Sequence, residues 1–410
     1  MAAEEINSKK RKIVHLLPIP IAPLIGPCLR CLWQARALKK QGWDITVVCL
    51  KIQDENELVK LQEPLFKDIS LLPVLPNLGP PVLRELGTLL FAWRKISACI
   101  DMVRPDIVHV HNPPDTLAFV TALICSSKKI PLVYDIADSS KEVIYASDFS
   151  PALKMIYSKV ALFFESQTMK RCSGIVTVSE SLKKLIVDTR HLSGSDAGHF
   201  IVMRNIDEAL ASFTERKPAE EQDYLFYSGT LYSKFLGLEF LIESIEALLK
   251  KGDVRLCIAG DGPNKKKLEQ LISDKKLDGS VSLLGHIPKD EIVNLIERAK
   301  MTVIPYERNS LTEISLPTKL FDYIALGKPV VYPDLPGFRE VMGVNNEGKY
   351  EPGDKEDLLR VIQNILSDGE KRKLLGKKNK QLLENITFKK EFSRLLDLYN
   401  TILTLNAAGQ

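Results

Sequence analysis

Three things are scarce in this sequence: cysteine arranged as a framework, charge of one sign, and long apolar runs. The 410 residues hold seven cysteines. They are scattered and odd in number, which excludes a disulfide scaffold. Cys28 and Cys31 form a lone C-x-x-C with no second pair nearby, and read as two small apolar residues of a helix. Lys plus Arg number 56 against 52 Asp plus Glu, a net charge of +4. So small an excess argues against a dedicated nucleic-acid protein. No apolar run approaches the ~18–20 residues of a membrane span. Leu86–Trp93 is stopped by Arg94 and Lys95. The basic run Lys9-Lys10-Arg11-Lys12 leads into a stretch broken by Pro18 and Pro20, unlike a signal peptide. A reducing, cytoplasmic setting is therefore expected, in which the sequon Asn385-Ile386-Thr387 is idle.

What is present is the composition of a globular chain, 45% apolar and 26% charged. Short apolar strands alternate with helical stripes. Ile13–Leu17, Asp44–Leu50, Asp106–His111, Pro131–Asp135 and Gly174–Val178 read as strands. Cys28–Lys40 and Thr116–Cys125 read as helices between them, and Ser179 as the N-cap of another. The rhythm restarts after residue 222. Tyr224–Ser228, Val254–Ala259, Ser280–Leu284, Met301–Pro305 and Val330–Tyr332 read as strands, with helices at Leu238–Lys250, Asn264–Asp274, Lys289–Ala299 and Thr318–Ala325. Near-continuous apolar strands in such alternation imply parallel sheets covered on both faces. The pattern predicts α/β architecture with two doubly wound, Rossmann-like domains. One spans 1–206 and one 224–387, joined by a polar linker at 207–223. Residues 388–410 form a final helix whose apolar face (Phe392, Leu395, Leu396, Tyr399, Ile402, Leu403) must dock on something.

Ligands of doubly wound sheets bind outside the carboxyl ends of the strands, so the residues just after each strand carry the functional reading. Gly260-Asp261-Gly262 follows one strand and precedes a helix, either as an ordinary turn or as a loop of close backbone approach. Leu316-Pro317-Thr318-Lys319 opens a helix whose free N–H groups and dipole suit a diphosphate. Lys319 in that first turn opposes the dipole unless an anion compensates. Asp322, one turn on, could accept two ribose hydroxyls. His111, Asn112 and Asp115 end another strand, and Asp135, Asp138, Ser139 and Glu142 follow the next, as cleft residues or as a surface loop. His109 reads as structural, and two histidines without a third ligand do not make a metal site.

Taken in order, these pieces resemble the GT-B glycosyltransferases of family GT4. The resemblance rests on H-N-P-P-D at His111–Asp115, V-T-V-S-E-S-L at Val176–Leu182, and S-G-T-L at Ser228–Leu231 with G-L-E-F-L-I-E at Gly237–Glu243. It continues through I-A-G-D-G-P at Ile258–Pro263, G-H-I-P at Gly285–Pro288, L-P-T-K-L-F-D-Y-I-A-L-G-K-P-V-V at Leu316–Val331, and D-L-P-G-F-R-E at Asp334–Glu340. It implies two domains facing across a cleft, with the last helix crossing back to the N-terminal domain. The N-terminal domain would take the acceptor and the C-terminal domain a nucleotide-sugar co-substrate. It further implies retention of configuration and no metal or other cofactor, because helix ends and basic side chains neutralise the diphosphate.

Several family positions differ here. Asp322 matches the second glutamate of the family's pair. The first falls on Ile314, with Glu313 one residue away. Thr230 stands where an arginine is usual after Gly229, and Lys234 lies two residues from the place of the usual lysine, at Leu236. Gly26-Pro27 replaces a glycine pair, and Ala137 a histidine. The resemblance thus assigns donor binding to Gly26, Gly229, Thr230, Lys234, Gly260, Asp261, Gly262, Glu313, Ser315, Leu316, Pro317, Thr318 and Asp322. It assigns catalysis to Lys319 with Asp138 as a sugar contact, and the acceptor side to His111, Asn112 and Asp115. The alternatives are a non-catalytic GT-B partner subunit, which would need a protein partner, and another GT-B chemistry such as a nucleotide-sugar epimerase. A phosphorylase is disfavoured by the lack of a pyridoxal phosphate lysine signature. Leu86–Ile100 and Pro151–Arg171 are apolar and flanked by basic residues. They either cover the sheet or make a peripheral contact with an anionic membrane carrying a lipid-linked acceptor.

Overall fold

Strands buried on both faces need apolar side chains at successive positions, and these have them. Ile107–His111, Leu132–Ile136 and Gly174–Thr177 are buried at every residue. The computed structural model describes residues 10–17, 26–50, 69–75, 92–112, 115–147, 149–190, 199–216, 219–231 and 236–408. It divides into two compact units, one holding the chain up to Arg204 and from Glu391 onward, the other Asn205–Lys390.

The first unit carries β1 (Lys12–Leu16), β2 (Asp44–Leu50), β3 (Ser70–Leu75), β4 (Ile107–His111), β5 (Leu132–Ile136), β6 (Gly174–Thr177) and β7 (His199–Val202). They form one sheet in the order β3-β2-β1-β4-β5-β6-β7, all pairs parallel. The order reverses between β1 and β4, the switch point at which a doubly wound sheet opens a crevice. The second unit carries β8 (Gln222–Ser228), β9 (Arg255–Ala259), β10 (Val281–Gly285), β11 (Ala299–Val303), β12 (Val330–Pro333) and β13 (Lys349–Tyr350). Their order is β10-β9-β8-β11-β12-β13, again parallel, with the switch between β8 and β11. Leu225, Tyr227, Leu256, Ile258, Met301 and Val331 from these strands centre one core layer of this unit; Phe226, Ile304, Tyr323 and Tyr332 belong to the other.

The last helix, Phe388–Ala408, belongs to the first unit from Glu391 onward. It buries Phe392, Leu395, Leu398, Tyr399 and Ile402. Leu398 and Ile402 lie so close to β6 that a Cβ on Gly174 would stand 3.0 Å from a methyl of each. Glu391 is fully buried, and its carboxylate accepts from both the Arg204 amide and the Arg204 guanidinium at 2.9 Å.

The structure departs from the sequence reading in places that have local causes. Segment 207–223, read as a linker, holds the helix Leu210–Thr214 and the start of β8. Leu210 is buried and Phe213 packs on the same core, an apolar pair too short to show periodicity. Helix Leu238–Lys250 is two helices, Leu238–Ser244 and Glu246–Lys251, broken at Ile245. The edge strands β3 and β13 were not legible. Pro73 interrupts the first, as edge strands tolerate, and the second is two residues long.

Candidate active site

At the β8/β11 switch point the chain ends a strand on Tyr227-Ser228 and turns through Gly229, at φ +150°. The neighbouring loop after β9 turns through Gly260, at φ +156°. The two loops are joined backbone to backbone: the Gly229 amide donates to Ala259 O at 2.9 Å, the Leu231 amide to Asp261 O at 2.9 Å, and the Asn264 amide to Leu231 O at 3.0 Å. A Cβ on Gly260 would lie 1.8 Å from Gly229 O. The need for glycine at 260 therefore comes from the other loop. Asp261 spends its carboxylate on the Gly262 amide at 2.7 Å, and Thr230 is exposed.

Lys319 reaches into this place from the first turn of the helix Thr318–Ala325. A Cβ on Gly229 would meet its Nζ at 2.3 Å, so glycine there also makes room for the ammonium. Nζ stands 3.9 Å from the centre of the Tyr227 ring and 5.6 Å from that of Tyr306. Among the described residues no carboxylate pairs with it. Burial pushes the ammonium down to about 7. The Tyr227 hydroxyl is buried without a hydrogen-bond partner. Tyr323, one turn beyond Lys319, accepts from the Ser228 amide at 2.8 Å and fixes the helix against the end of β8.

Tyr323 and Asp322 both follow Lys319 by about one turn. Asp322 pairs with Lys289, whose Nζ is 2.5 Å from Oδ2. Burial raises the Asp322 carboxyl, Lys289 opposes the rise, and Asp207 adds to it. The approach to the helix is held by local hydrogen bonds. Asn309 caps Ser310–Ile314 in a capping box, and the Ser315 hydroxyl donates to Leu311 O at 2.8 Å. Leu316 is buried, Pro317 is the N-cap residue, and Thr318 and Glu313 are partly exposed; Ile314 is buried as an apolar residue. Lys234 lies outside the described residues. Gly26 opens the helix Gly26–Lys40 in the first unit, where a Cβ would meet open space.

In the first unit, the residues expected at an open acceptor surface are withdrawn. Asn112 is buried and clamps the loop after β5: its Nδ2 donates to Asp138 O at 2.7 Å and its Oδ1 accepts from the Ala137 amide at 2.9 Å. Asp115 is buried beneath its own helix, accepts from the Tyr134 hydroxyl, and is raised by burial. Asp138 is partly exposed, and its carboxyl is also raised by desolvation. His111 is buried beside His15 and His109, because alternation on β4 turns residues 109 and 111 to the same face as residue 15 of β1. Asp135 is the hub of that cluster. Its Oδ2 takes the Arg30 Nε at 2.8 Å, the Gln34 amide at 3.0 Å, His109 at 3.2 Å and His111 at 3.4 Å. Burial works against the charge, but Arg30 and then the two imidazoles hold Asp135 well below the usual carboxylate range.

Three buried histidines with nitrogens within 4.8 Å of one another suggest a metal. The sequence showed two of them; the fold brings His15 of β1 to His109 and His111 as the third. His15 and His109 are stacked at 4.7 Å and 12°, His109 and His111 at 4.6 Å and 25°. Nitrogens of all three are engaged with protein groups, His109 and His111 both with Asp135 Oδ2. The cluster is a hydrogen-bonded stack: His15 Nδ1 lies 3.1 Å from His111 Nε2, and His109 Nδ1 lies 2.5 Å from the Tyr399 hydroxyl.

The aromatic seat of Lys319 and the Arg30–Asp135 hub escaped the sequence reading. Tyr227 and Tyr306 lie on other elements than Lys319, and of these contacts only the i,i+4 spacing of Arg30 with Gln34 is local in sequence.

Two doubly wound parallel units in one chain, with an anion-ready lysine at the switch point of the second, define a GT-B architecture. Comparison with known proteins agrees. The family described as "Glycosyl transferases group 1" matches residues 211–382, and "Glycosyltransferase Family 4" matches residues 33–196. The chain belongs to the GT4-type glycosyltransferases. The sulfoquinovosyl transferase SQD2 of Arabidopsis thaliana is 24% identical over 294 residues, covering 69% of this chain and 54% of that protein. The chain thus spans about half the length of that relative. The capsular polysaccharide biosynthesis glycosyltransferase CapM of Staphylococcus aureus is 23% identical over 418 residues, covering 96% of this chain and 98% of CapM. The structure of Anabaena Alr3699/HepE in complex with UDP has a TM-score of 0.71 at 16% identity, covering 95% of this chain and all of that one.

Proposed function

We propose that the protein transfers a sugar from a nucleotide-sugar to a hydroxyl acceptor with retention of configuration. The single observation that carries this is Lys319: an ammonium seated on Tyr227 and Tyr306, unpaired with any described carboxylate, at the first turn of a helix and at the sheet's switch point. A diphosphate supplies what that site lacks. The UDP in the HepE structure and the sugar-transfer names of the relatives support a nucleoside diphosphate as leaving group.

In this mechanism the bond from the sugar's C1 to the diphosphate oxygen breaks, and the acceptor oxygen bonds to C1 from the same face. The acceptor's proton passes to the departing phosphate oxygen. Negative charge grows on that oxygen, and Lys319 with the backbone N–H groups of Leu316–Lys319 stabilises it, the term expected to be largest. Asp322 takes the ribose hydroxyls, exchanging its Lys289 partner for them. Gly229, Gly260 and Gly262 hold the loops that flank the diphosphate. Neutralisation by Lys319 and the helix end makes a metal unnecessary. The first unit takes the acceptor, with Asp138 as the sugar contact. The acceptor is a glycan, glycolipid or lipid-linked intermediate met at the cytoplasmic face of an anionic membrane. No helix among the described residues is long and apolar enough to cross one.

The test is a panel of nucleotide-sugars read by thermal shift, followed by turnover and NMR of the product anomer. Binding at ~100 Kd stabilises by roughly 2.7 kcal/mol. An inverted product would overturn retention, and an epimerised donor without transfer would replace transfer by epimerisation.

A further inference from the structure

The helix Pro151–Met169 is inside out. Its buried residues include Ser158, Glu165 and Thr168. Their polar groups are satisfied at close range: Ser158 donates to Met155 O at 3.0 Å, Thr168 to Phe164 O at 2.8 Å, and Glu165 takes Arg190 at 2.9 Å. Its outward side carries Leu153, Met155, Ile156, Val160 and Phe163, the middle and last of these 52% and 56% exposed. At ~100° per residue these five fall within one arc of about 160°. The preceding helix and loop add Val143, Tyr145 and Phe149, also exposed. Eight of the fourteen large apolar side chains exposed among the described residues thus lie between 143 and 163. Single exposed apolar residues need no explanation, but a concentration of this kind does.

Among the described residues, the charge exposed around the face has one sign. Lys141, Lys154, Lys159, Lys170 and Arg171 surround it. The described carboxylates of the same stretch, Glu142 and Glu165, are buried. Lys154 is committed to Tyr145 O at 2.9 Å, whereas Lys159 and Lys170 are exposed.

We infer that the face formed by residues 143–163 docks on an anionic lipid bilayer, with its apolar stripe among the acyl chains and its lysines at the headgroups. This rests on the reading that the enzyme works at an anionic membrane and names the surface that touches it. A core-covering helix buries its stripe in protein; this one points it to water. A bilayer asks of its ligand only one apolar side and a cationic border. A protein partner would ask for complementary polar groups as well, and the exposed charged groups of the face among the described residues are cations. The placement suits the chemistry: the helix Ser140–Ala146 begins two residues after Asp138, on the loop that Asn112 clamps.

The experiment is co-sedimentation of the full chain with phosphatidylglycerol/phosphatidylcholine vesicles and with phosphatidylcholine alone, at low and high salt. The variants are Ile156→Ser with Phe163→Ser, and Lys159→Glu with Lys170→Glu. Thermal melting and nucleotide-sugar binding serve as fold controls, since all four positions are exposed. Wild type should bind the anionic vesicles at low salt and lose binding at high salt. The serine pair should weaken binding at least tenfold and the charge reversals more, at roughly fivefold or greater per basic residue. Equal binding by wild type and the serine pair would overturn this surface while leaving membrane association intact. No binding by wild type at low salt would overturn both. A dimer in solution that the serine pair dissociates would reassign the face to a second copy of the chain.

Discussion

The Lys319 ammonium lies 3.9 Å from the centre of the Tyr227 ring and has no described carboxylate to pair with. An aromatic face attracts a cation without neutralising it. The seat therefore holds the charge in position while leaving it available to an incoming anion, and desolvation lowers the ammonium to about 7.

Donor affinity should follow that titration. The diphosphate of a nucleotide-sugar does not change charge near neutrality, so the titrating group is the lysine. The protonated form binds, and affinity should fall as pH rises through about 7, until the higher pKa of the bound state is reached. Calorimetric titration from pH 6 to 9 tests this, and Lys319→Ala should remove the dependence. The same variant should lower turnover more than donor affinity, because charge on the leaving oxygen peaks in the transition state.

Tyr227→Phe keeps the ring and deletes a buried hydroxyl that has no partner. An unsatisfied buried polar group costs about 1–3 kcal/mol, so the ligand-free variant should be more stable by about 1 kcal/mol in denaturant unfolding. Tyr227→Leu deletes the ring's attraction for the cation and should weaken donor binding where the phenylalanine does not.

Asp322→Ala should abolish nucleotide-sugar binding with the fold retained. Lys289→Ala should not, because Lys289 is half exposed and its ion pair contributes well under 1 kcal/mol after solvent screening. Donor titrations of both variants decide whether the carboxylate acts for the ligand or for Lys289.

The histidine stack sets an acid limit. Burial lowers His109 to about 4 and His15 well below its ordinary value of 6.5. Between pH 6.5 and 4 these two imidazoles are protonated in the unfolded chain and neutral in the folded chain, so their contribution to stability falls as pH drops, while Glu165, raised by burial to about 7, contributes in the opposite sense. His109 alone accounts for about 3 kcal/mol by linkage. Urea midpoints from pH 7 to 4, compared between wild type and His109→Gln, isolate it. Asp135 acts lower: its stabilisation is complete above 3.8 and is lost only below that value. Asp135→Asn at pH 7 should cost about 3–5 kcal/mol by leaving Arg30 without its carboxylate.

Gly260→Ala drives a Cβ to 1.8 Å from the backbone oxygen of Gly229. No side-chain rotation relieves a clash with backbone, so the two loops must separate. The second unit should lose several kcal/mol by mechanisms of this strained class, with donor binding lost in the same melts. Gly26→Ala, where the added methyl meets open space, should melt as wild type does.

The strands and the helix Thr318–Ala325 were legible because burial on both faces and the Pro317-to-Gly327 punctuation are local signals. The resemblance located Lys319 for the same reason, as part of a contiguous motif. What it could not locate was who faces whom. Asp322 was placed beside Lys319 by spacing alone, and its pairing with Lys289 depends on a residue thirty-three positions away. Asn112, His111 and Asp115 read as an acceptor surface because they follow a strand; that Asn112 is consumed by the next loop, and the others buried, depends on Ala137, Asp138, Tyr134 and Asp135. The stripe on Pro151–Met169 was visible, but a stripe has no sign. Only the burial of Ser158, Glu165 and Thr168 shows that it faces outward.

The buried Glu391–Arg204 contact has a consequence for synthesis. The first unit is discontinuous in sequence, and its last helix is made after all of Asn205–Lys390. At about 5–20 residues per second, the ribosome needs roughly 10–40 s to cross that interval. During it the β6 surface beneath Gly174 waits without the Leu398 and Ile402 side chains that cover it. The second unit, continuous from end to end, can close while the first is still open. The half of the enzyme that is translated first is thus the half that finishes folding last, and its exposed sheet is what chaperones would meet on the nascent chain.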